Sequence, residues 1–245
     1  MVVNKKTTMK LSDVLDYIFP RKCLGCGREE GYLCSFCREK IQLLKTQCCP
    51  NCRKHQSEGR FCNQRCAENF NFDQLIVCLE YSKSNLISKM VVQFKYRFSE
   101  DLVEILGKIM KHQLAVFSHN FRSEEGNILL IPVPLSAGRM RFRGFNQSLL
   151  LAKYLVKNFN GMQVSDCMQR EDGSEQQAGK ARNARLKNLE NKIFMNKGQE
   201  KFLAGKSVIV IDDIATTGTT LNECARVLKL AGASHVCGLV LARGK

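Results

Sequence analysis

The residues best suited to chemistry lie in VIVIDDIATTGTTL, residues 208–221. Four apolar residues lead into two adjacent carboxylates, Asp212 and Asp213. A loop of Ala215, Thr216, Thr217, Gly218, Thr219 and Thr220 follows and opens onto a helix-like run. In an open parallel sheet, ligands bind beyond the carboxyl ends of the strands. Two neighbouring carboxylates there can accept hydrogen bonds from a pair of vicinal hydroxyls, as on a ribose. Backbone N–H groups and threonine hydroxyls at a helix N-terminus can cradle a phosphate, with a glycine allowing close approach. The stretch therefore reads as a holder of a phosphorylated sugar. A capping box from Thr220 to Glu223 is the plainer reading, and it leaves the two acids without a role.

A second chemistry resides in the cysteines. Thirteen are present, and nine fall between Cys23 and Cys66. They form pairs: Cys23 with Cys26, Cys34 with Cys37, Cys49 with Cys52, and Cys62 with Cys66. Two thiolates on one tight turn can point at a single metal, and two such turns close the tetrahedral site that zinc prefers. The simplest arrangement is two structural Zn2+ sites, one from Cys23, Cys26, Cys34 and Cys37, the other from Cys49, Cys52, Cys62 and Cys66. A cross-braced arrangement satisfies the same spacing. Cys48 is spare, and His55 reads as a surface residue. A disulfide framework fits poorly, because the count is odd and the N-terminal region lacks the apolar core of an export signal.

These groups need elements to hold them. A short amphipathic helix is expected around Leu11, Val14, Leu15 and Ile18. The cysteine-rich module should end near residue 72, giving a small domain over 1–72 and a larger one over 73–245. In the larger part, strands are expected over 75–81, 127–134, 164–168, 207–211 and 235–242. Helices are expected over 87–94, 102–117, 147–159 and 221–231. Strands alternating with helices imply an α/β fold with a mostly parallel sheet flanked by helices. Residues 180–191 read as a polar, basic loop. The chain carries 38 basic against 23 acidic residues, a formal charge of +15, which suits an anionic partner. No run of 18 apolar residues is present, so no membrane span is expected and a cytoplasmic location follows.

The stretch at 208–221 resembles the signature of type I phosphoribosyltransferases, and the whole chain resembles the ComF family, which joins an N-terminal zinc module to such a domain. FKYRF (94–98), PVPLSAGRMRFRGFNQS (132–148), QQAGKARNARLKN (176–188) and LAR (241–243) carry the likeness in the family's order. The resemblance implies 5-phosphoribosyl-1-pyrophosphate (PRPP) as ligand, Mg2+ bridging its pyrophosphate and ribose hydroxyls, and a pyrophosphate loop over 134–138. Arg139, Arg141 and Arg143 would face the sugar across the sheet top, and guanidinium groups suit phosphate oxygens. Lys180, Arg182 and Arg185 would close over the site. Thr216 stands where purine-salvage members of the superfamily carry an acidic base, so the acceptor stays open.

Three roles fit this reading. One is a phosphoribosyltransferase acting in nucleotide or base salvage. Another, implied by the ComF resemblance, is handling of incoming single-stranded DNA in natural transformation. The third is an adaptor whose zinc module recruits a DNA-uptake protein. Phe142 and Phe145 are read first as core, and second as rings on which bases stack.

Overall fold

The structure is a computed structural model of the full chain, and it describes residues 21–56, 58–81, 86–117, 128–172 and 192–244. The expected N-terminal helix, and Lys180, Arg182 and Arg185, lie outside the described residues. The chain divides into two compact units, Met1–Gln42 and Leu43–Lys245.

In the smaller unit, the turn at Cys23–Gly27 precedes a short helix, α1 (Ser35–Glu39), capped by Cys34. Among its described residues the buried apolar groups are few: Cys23, Leu33, Cys34 and Cys37.

The larger unit begins with two short antiparallel strands, β1 (Gln47–Cys48) and β2 (His55–Gln56), and helix α2 (Gln64–Ala67). A five-stranded parallel sheet follows, in the order β3 (Gln74–Glu80), β9 (His235–Arg243), β8 (Ser207–Ala215), β4 (Ile128–Pro132) and β5 (Met162–Val164). The helices are α3 (Leu86–Tyr96), α4 (Glu100–Phe117), α5 (Ala137–Arg143), α6 (Gln147–Val156) and α7 (Thr219–Leu230). A small antiparallel pair, β6 (Met168–Arg170) with β7 (Ile193–Met195), stands apart from the main sheet.

Side chains of a strand alternate between faces, so a sheet covered on both sides needs continuous apolar runs. Val208, Val210, Val236 and Val240 join Leu221, Cys224, Ala225 and Leu228 of α7 in one core. The alternate set, Ile76, Leu130, Ile209, Ile211 and Leu239, is equally buried. It takes the opposite face, where α4 and α6 pack on the strands.

Strand β3 is one edge of the sheet, and an uncovered edge invites pairing with another chain. Here residues 43–56 and 58–60 cover it. Leu44 N–H donates to Cys78 O (2.9 Å) and Leu75 N–H to Gly59 O (2.9 Å). The buried Gln47 amide bonds both ways with Val77, donating to its carbonyl at 3.1 Å and accepting from its N–H at 2.9 Å. The second cysteine cluster thus folds with the sheet.

Several element expectations change. The strand expected over 164–168 is two strands, β5 and β6, with residues 165–167 between them. β8 runs on to Ala215, so both acids lie within the strand. Gly138 lies in the first turn of α5 rather than in an open loop. Glu223 does not close a capping box: its carboxylate takes Arg226 (2.7 Å), and Gly218 is the N-cap of α7.

Candidate functional site

The apolar run at 208–211 pairs with β4 and β9 along its length and delivers Asp212 and Asp213 to the carboxyl end of the sheet. Asp213 is buried and forms an ion pair with Lys95 Nζ (3.1 Å), which projects from the last turn of α3. Asp212 Oδ1 accepts from Ser148 Oγ (3.3 Å) and from the backbone N–H of Asp213 (2.9 Å). Ser148 is held by the cap of α6: Asn146 accepts from Ser148 N–H (3.0 Å) and donates to Val133 O (3.1 Å) at the end of β4. Burial, followed by the neighbouring Asp213 charge, pushes the Asp212 carboxyl up to about 7. A carboxylate so placed is ready to accept a cation or a hydroxyl.

After Ala215 the backbone turns at Gly218, whose φ of 80° is left-handed and suits glycine. Thr217 Oγ1 and Thr219 Oγ1 lie 2.6 Å apart. Gly218 has no side chain to cap α7, and the Thr219 N–H donates to Thr217 Oγ1 (3.4 Å). The first N–H groups of α7 lack intrahelical partners, as at any helix start, and the helix dipole favours an anion there.

The expected arginines divide. Arg143 donates to Gln147 Oε1 (3.1 Å), and Gln147 donates to Lys95 O (3.3 Å), so Arg143 is tied to the lysine of the site. Arg141 is exposed and turns toward Asp172 (3.9 Å). Asp172 takes the anion position at Gly138: the Gly138 N–H donates to both its oxygens at 2.9 and 3.1 Å. That N–H, then Ser136 and Arg141, hold the Asp172 carboxyl below its usual range. Arg139 approaches the half-buried Arg170, whose guanidinium is lowered by burial first and by Arg139 next, while Asp212 partly offsets this. Lys95, Ser148, Arg170 and Asp172 complete the site and were not singled out from spacing. Lys95 lies in FKYRF, and Ser148 closes the RGFNQS run, but their sequence separation from 212–213 gives no sign that they meet the acids.

Phe142 is not core. It is 77% exposed and meets the edge of Tyr96 (6.1 Å), itself 61% exposed. Phe145 is half-buried, between Phe94 (6.3 Å) and Phe98 (5.5 Å).

The cysteine thiols gather sequentially rather than cross-braced. Cys23, Cys26, Cys34 and Cys37 have their sulfurs within 4.8 Å of one another, as do Cys49, Cys52, Cys62 and Cys66. Burial opposes a Cys23 thiolate, but N–H bonds from Cys34, Cys26 and Gly25 outweigh it and bring it to about 6. Burial and the neighbouring sulfurs push Cys37 up to about 12. Cys49 is likewise brought to about 6, and Cys62 is pushed up to about 12 by Cys66 and Cys52. Four thiols this close cannot all ionise without a cation between them. Four soft sulfur donors in contact fit a tetrahedral zinc ion.

Comparison with known proteins agrees with both halves. A family model described as a double zinc ribbon domain matches residues 14–78, and a phosphoribosyl transferase domain matches residues 146–245. The chain is 25% identical to Competence protein F of Haemophilus influenzae, over 87% of this chain and 97% of that protein. It is 28% identical to Competence protein ComFC of Bacillus subtilis, over 86% and 84%. It is 26% identical to DNA utilization protein YhgH of Escherichia coli, over 83% and 87%. Among solved structures, a hypoxanthine phosphoribosyltransferase from Staphylococcus aureus aligns at 18% identity and a TM-score of 0.38, covering 58% of this chain and 64% of that one. The chain is thus similar over most of its length to competence proteins F and ComFC, and it joins a region matching a double zinc ribbon to one matching a phosphoribosyl transferase domain.

Proposed function

We propose that the protein binds PRPP or a related ribose phosphate with Mg2+ at the carboxyl end of β8, and handles single-stranded DNA in natural transformation. The observation that carries the ligand is the pairing of Asp213 with Lys95 at 3.1 Å and of Asp212 with Ser148 at 3.3 Å, beside the loop 215–220. Asp212 and Asp213 would take the ribose hydroxyls and the Mg2+ shell, which keeps several waters. Thr216, Thr217, Gly218, Thr219 and Thr220 would take the 5-phosphate. The residues fit the metal: one carboxylate of the pair is poised near neutrality, and hard oxygen donors suit Mg2+. The functional division follows the same lines, a zinc module over 1–72 and a ligand-binding part over 73–245, acting in the cytoplasm.

Calorimetry with PRPP and Mg2+ tests this. Asp212→Asn combined with Asp213→Asn should weaken binding by about tenfold or more, as loss of charge-assisted hydrogen bonds does. Unchanged affinity would overturn the reading.

The DNA part has its own support. Tyr96, Phe98 and Phe142 are exposed rings at the end of α3 and on α5, interleaved with Arg97, Arg139, Arg141 and Arg143. Exposed rings with guanidinium groups between them stack bases and attract phosphates without reading sequence. The relatives' names speak of competence and DNA utilization. Retention of a labelled oligothymidylate should fall steeply with salt, and Arg141→Ala with Arg143→Ala should lower the salt slope by about two. Retention independent of salt would remove this part and leave the sugar-phosphate reading standing.

A further inference from the structure

The two zinc-ribbon turns share one backbone hydrogen-bond pattern. In the first, Cys23 N–H donates to Arg28 O (2.7 Å) and Gly27 N–H to Cys23 O (2.8 Å). In the second, Cys49 N–H donates to Lys54 O (2.8 Å) and Arg53 N–H to Cys49 O (3.1 Å). The residue after each C-x-x-C pair is left-handed. It is Gly27 (φ 81°) in the first turn and Arg53 (φ 60°) in the second. Among the described residues Arg53 is the sole non-glycine with positive φ. Left-handed backbone is unfavourable for a residue with a Cβ, and such an outlier persists where its side chain has a use.

The use is visible. Arg53 Nη2 donates to Gly244 O (2.7 Å), just past the end of β9. Arg243 returns the contact, donating to Pro50 O inside the C-x-x-C turn. Gly244 N–H donates to Ala215 O (2.8 Å), where the loop 215–220 begins. A Cβ on Gly244 would lie 3.3 Å from Thr216 Cγ2, so this segment rests directly on the loop. A second route runs from the other half of the cluster. Phe61, next to Cys62, stacks with Phe72 (5.6 Å), and the Phe72 ring lies 3.9 Å from where a Gly218 Cβ would stand. Asn71 N–H donates to Asn222 Oδ1 (2.6 Å) in the first turns of α7. The loop is thus held at both ends by the second cysteine cluster.

We propose that Arg53 is a positioning residue for the loop 215–220, and that metal in the second cysteine cluster orders this loop for the phosphate of its ligand. The inference about loop order stands on the geometry, and its consequence for affinity rests on the ribose-phosphate reading above.

The decisive variant is Arg53→Gly, which relieves the backbone and keeps the four cysteines. A purely structural Arg53 predicts that this variant is neutral or stabilising and leaves amide hydrogen exchange at 215–220 unchanged or slower. The proposal predicts instead that it keeps two equivalents of zinc and its melting temperature, while amide hydrogen exchange at 215–220 in the ligand-free full chain speeds up by about tenfold, the effect of one charge-assisted hydrogen bond. Arg53→Lys, which can still donate from the same turn, should restore part of the protection. Cys62→Ser should lose one zinc and match Arg53→Gly at 215–220, whereas Cys26→Ser should lose one zinc without that effect. Exchange at 215–220 unchanged in Arg53→Gly overturns the proposal. PRPP with Mg2+ is then titrated into wild type and Arg53→Gly. Weaker binding by the variant agrees with the proposal, and equal binding refutes its consequence for affinity. Failure of wild type to bind PRPP sinks the ligand reading alone, because the exchange experiment still decides the role of Arg53.

Discussion

Lys95 reaches Asp213 at 3.1 Å, while among the described residues Asp212 accepts from a hydroxyl and a backbone N–H. The two acids are therefore unequal. Asp213 is neutralised within the protein, and Asp212 carries the part of the charge that a ligand cation or diol would answer. Its carboxyl is raised from 3.8 to about 7, by burial first and the Asp213 charge second. The native state thus holds a proton on Asp212 that the unfolded chain has released between those two values. Stability from this group is fully present below the unfolded value and is lost as pH rises to about 7. Asp212→Asn removes that loss. The ligand-free variant should be more stable than wild type at pH 8 by roughly 1–3 kcal/mol, discounted for solvent screening, with the gain vanishing near pH 4. Urea denaturation at the two pH values checks this. A gain of equal size at both would show that Asp212 is strained by packing rather than by charge.

At the scale of elements, the covered edge of β3 explains why a zinc ribbon and a sheet share one unit. Gly59 is the tightest point of that cover. Its φ is 73°, and an added Cβ would meet Leu75 O at 2.2 Å, on the same residue whose N–H donates to Gly59 O. Gly59→Ala should cost about 2–4 kcal/mol by strain and by loss of that hydrogen bond. Thermal unfolding measures it, and a loss below about 1 kcal/mol would mean the ribbon lies loosely on β3. Much of this architecture was legible beforehand. Apolar runs at 75–79, 128–131, 208–211 and 236–242 are long enough to be buried on both faces, and each is a strand. The paired spacing, three C-x2-C and one C-x3-C, located both thiol clusters, because metal geometry is local in sequence. What was not legible depends on distant partners. Phe142 carries no local mark of exposure, and it projects because α5 is a seven-residue helix with no buried residue. Lys95, Ser148, Arg170 and Asp172 meet the site only once α3, α6 and β6 are in place. Glu223 prefers Arg226, one turn on, to the helix start.

For the molecule as a whole, the distribution of apolar burial decides what zinc does in each unit. The larger unit has a sheet core between α4, α6 and α7, in which β3, β4, β8 and β9 are mostly inaccessible to water. The described part of the smaller unit, residues 21–42, buries three cysteines and Leu33 as its apolar groups. Burying one leucine contributes about 2 kcal/mol, while ordering each residue costs about 1–2 kcal/mol, so these residues cannot hold a fold by burial alone. Metal binding must supply the difference, as in other small cysteine-rich modules. In the larger unit the second cluster adds to a core that is already sufficient. A zinc chelator should therefore act unequally. Native mass spectrometry is expected to show two zinc ions removed, and brief trypsin treatment should then cut first at Arg28, Arg38 and Lys40. The larger unit should keep a cooperative thermal transition, lowered by several degrees as an order of magnitude for a unit of this size. First cuts within β8 or β9, or loss of all cooperative melting, would show instead that the sheet itself depends on the metal.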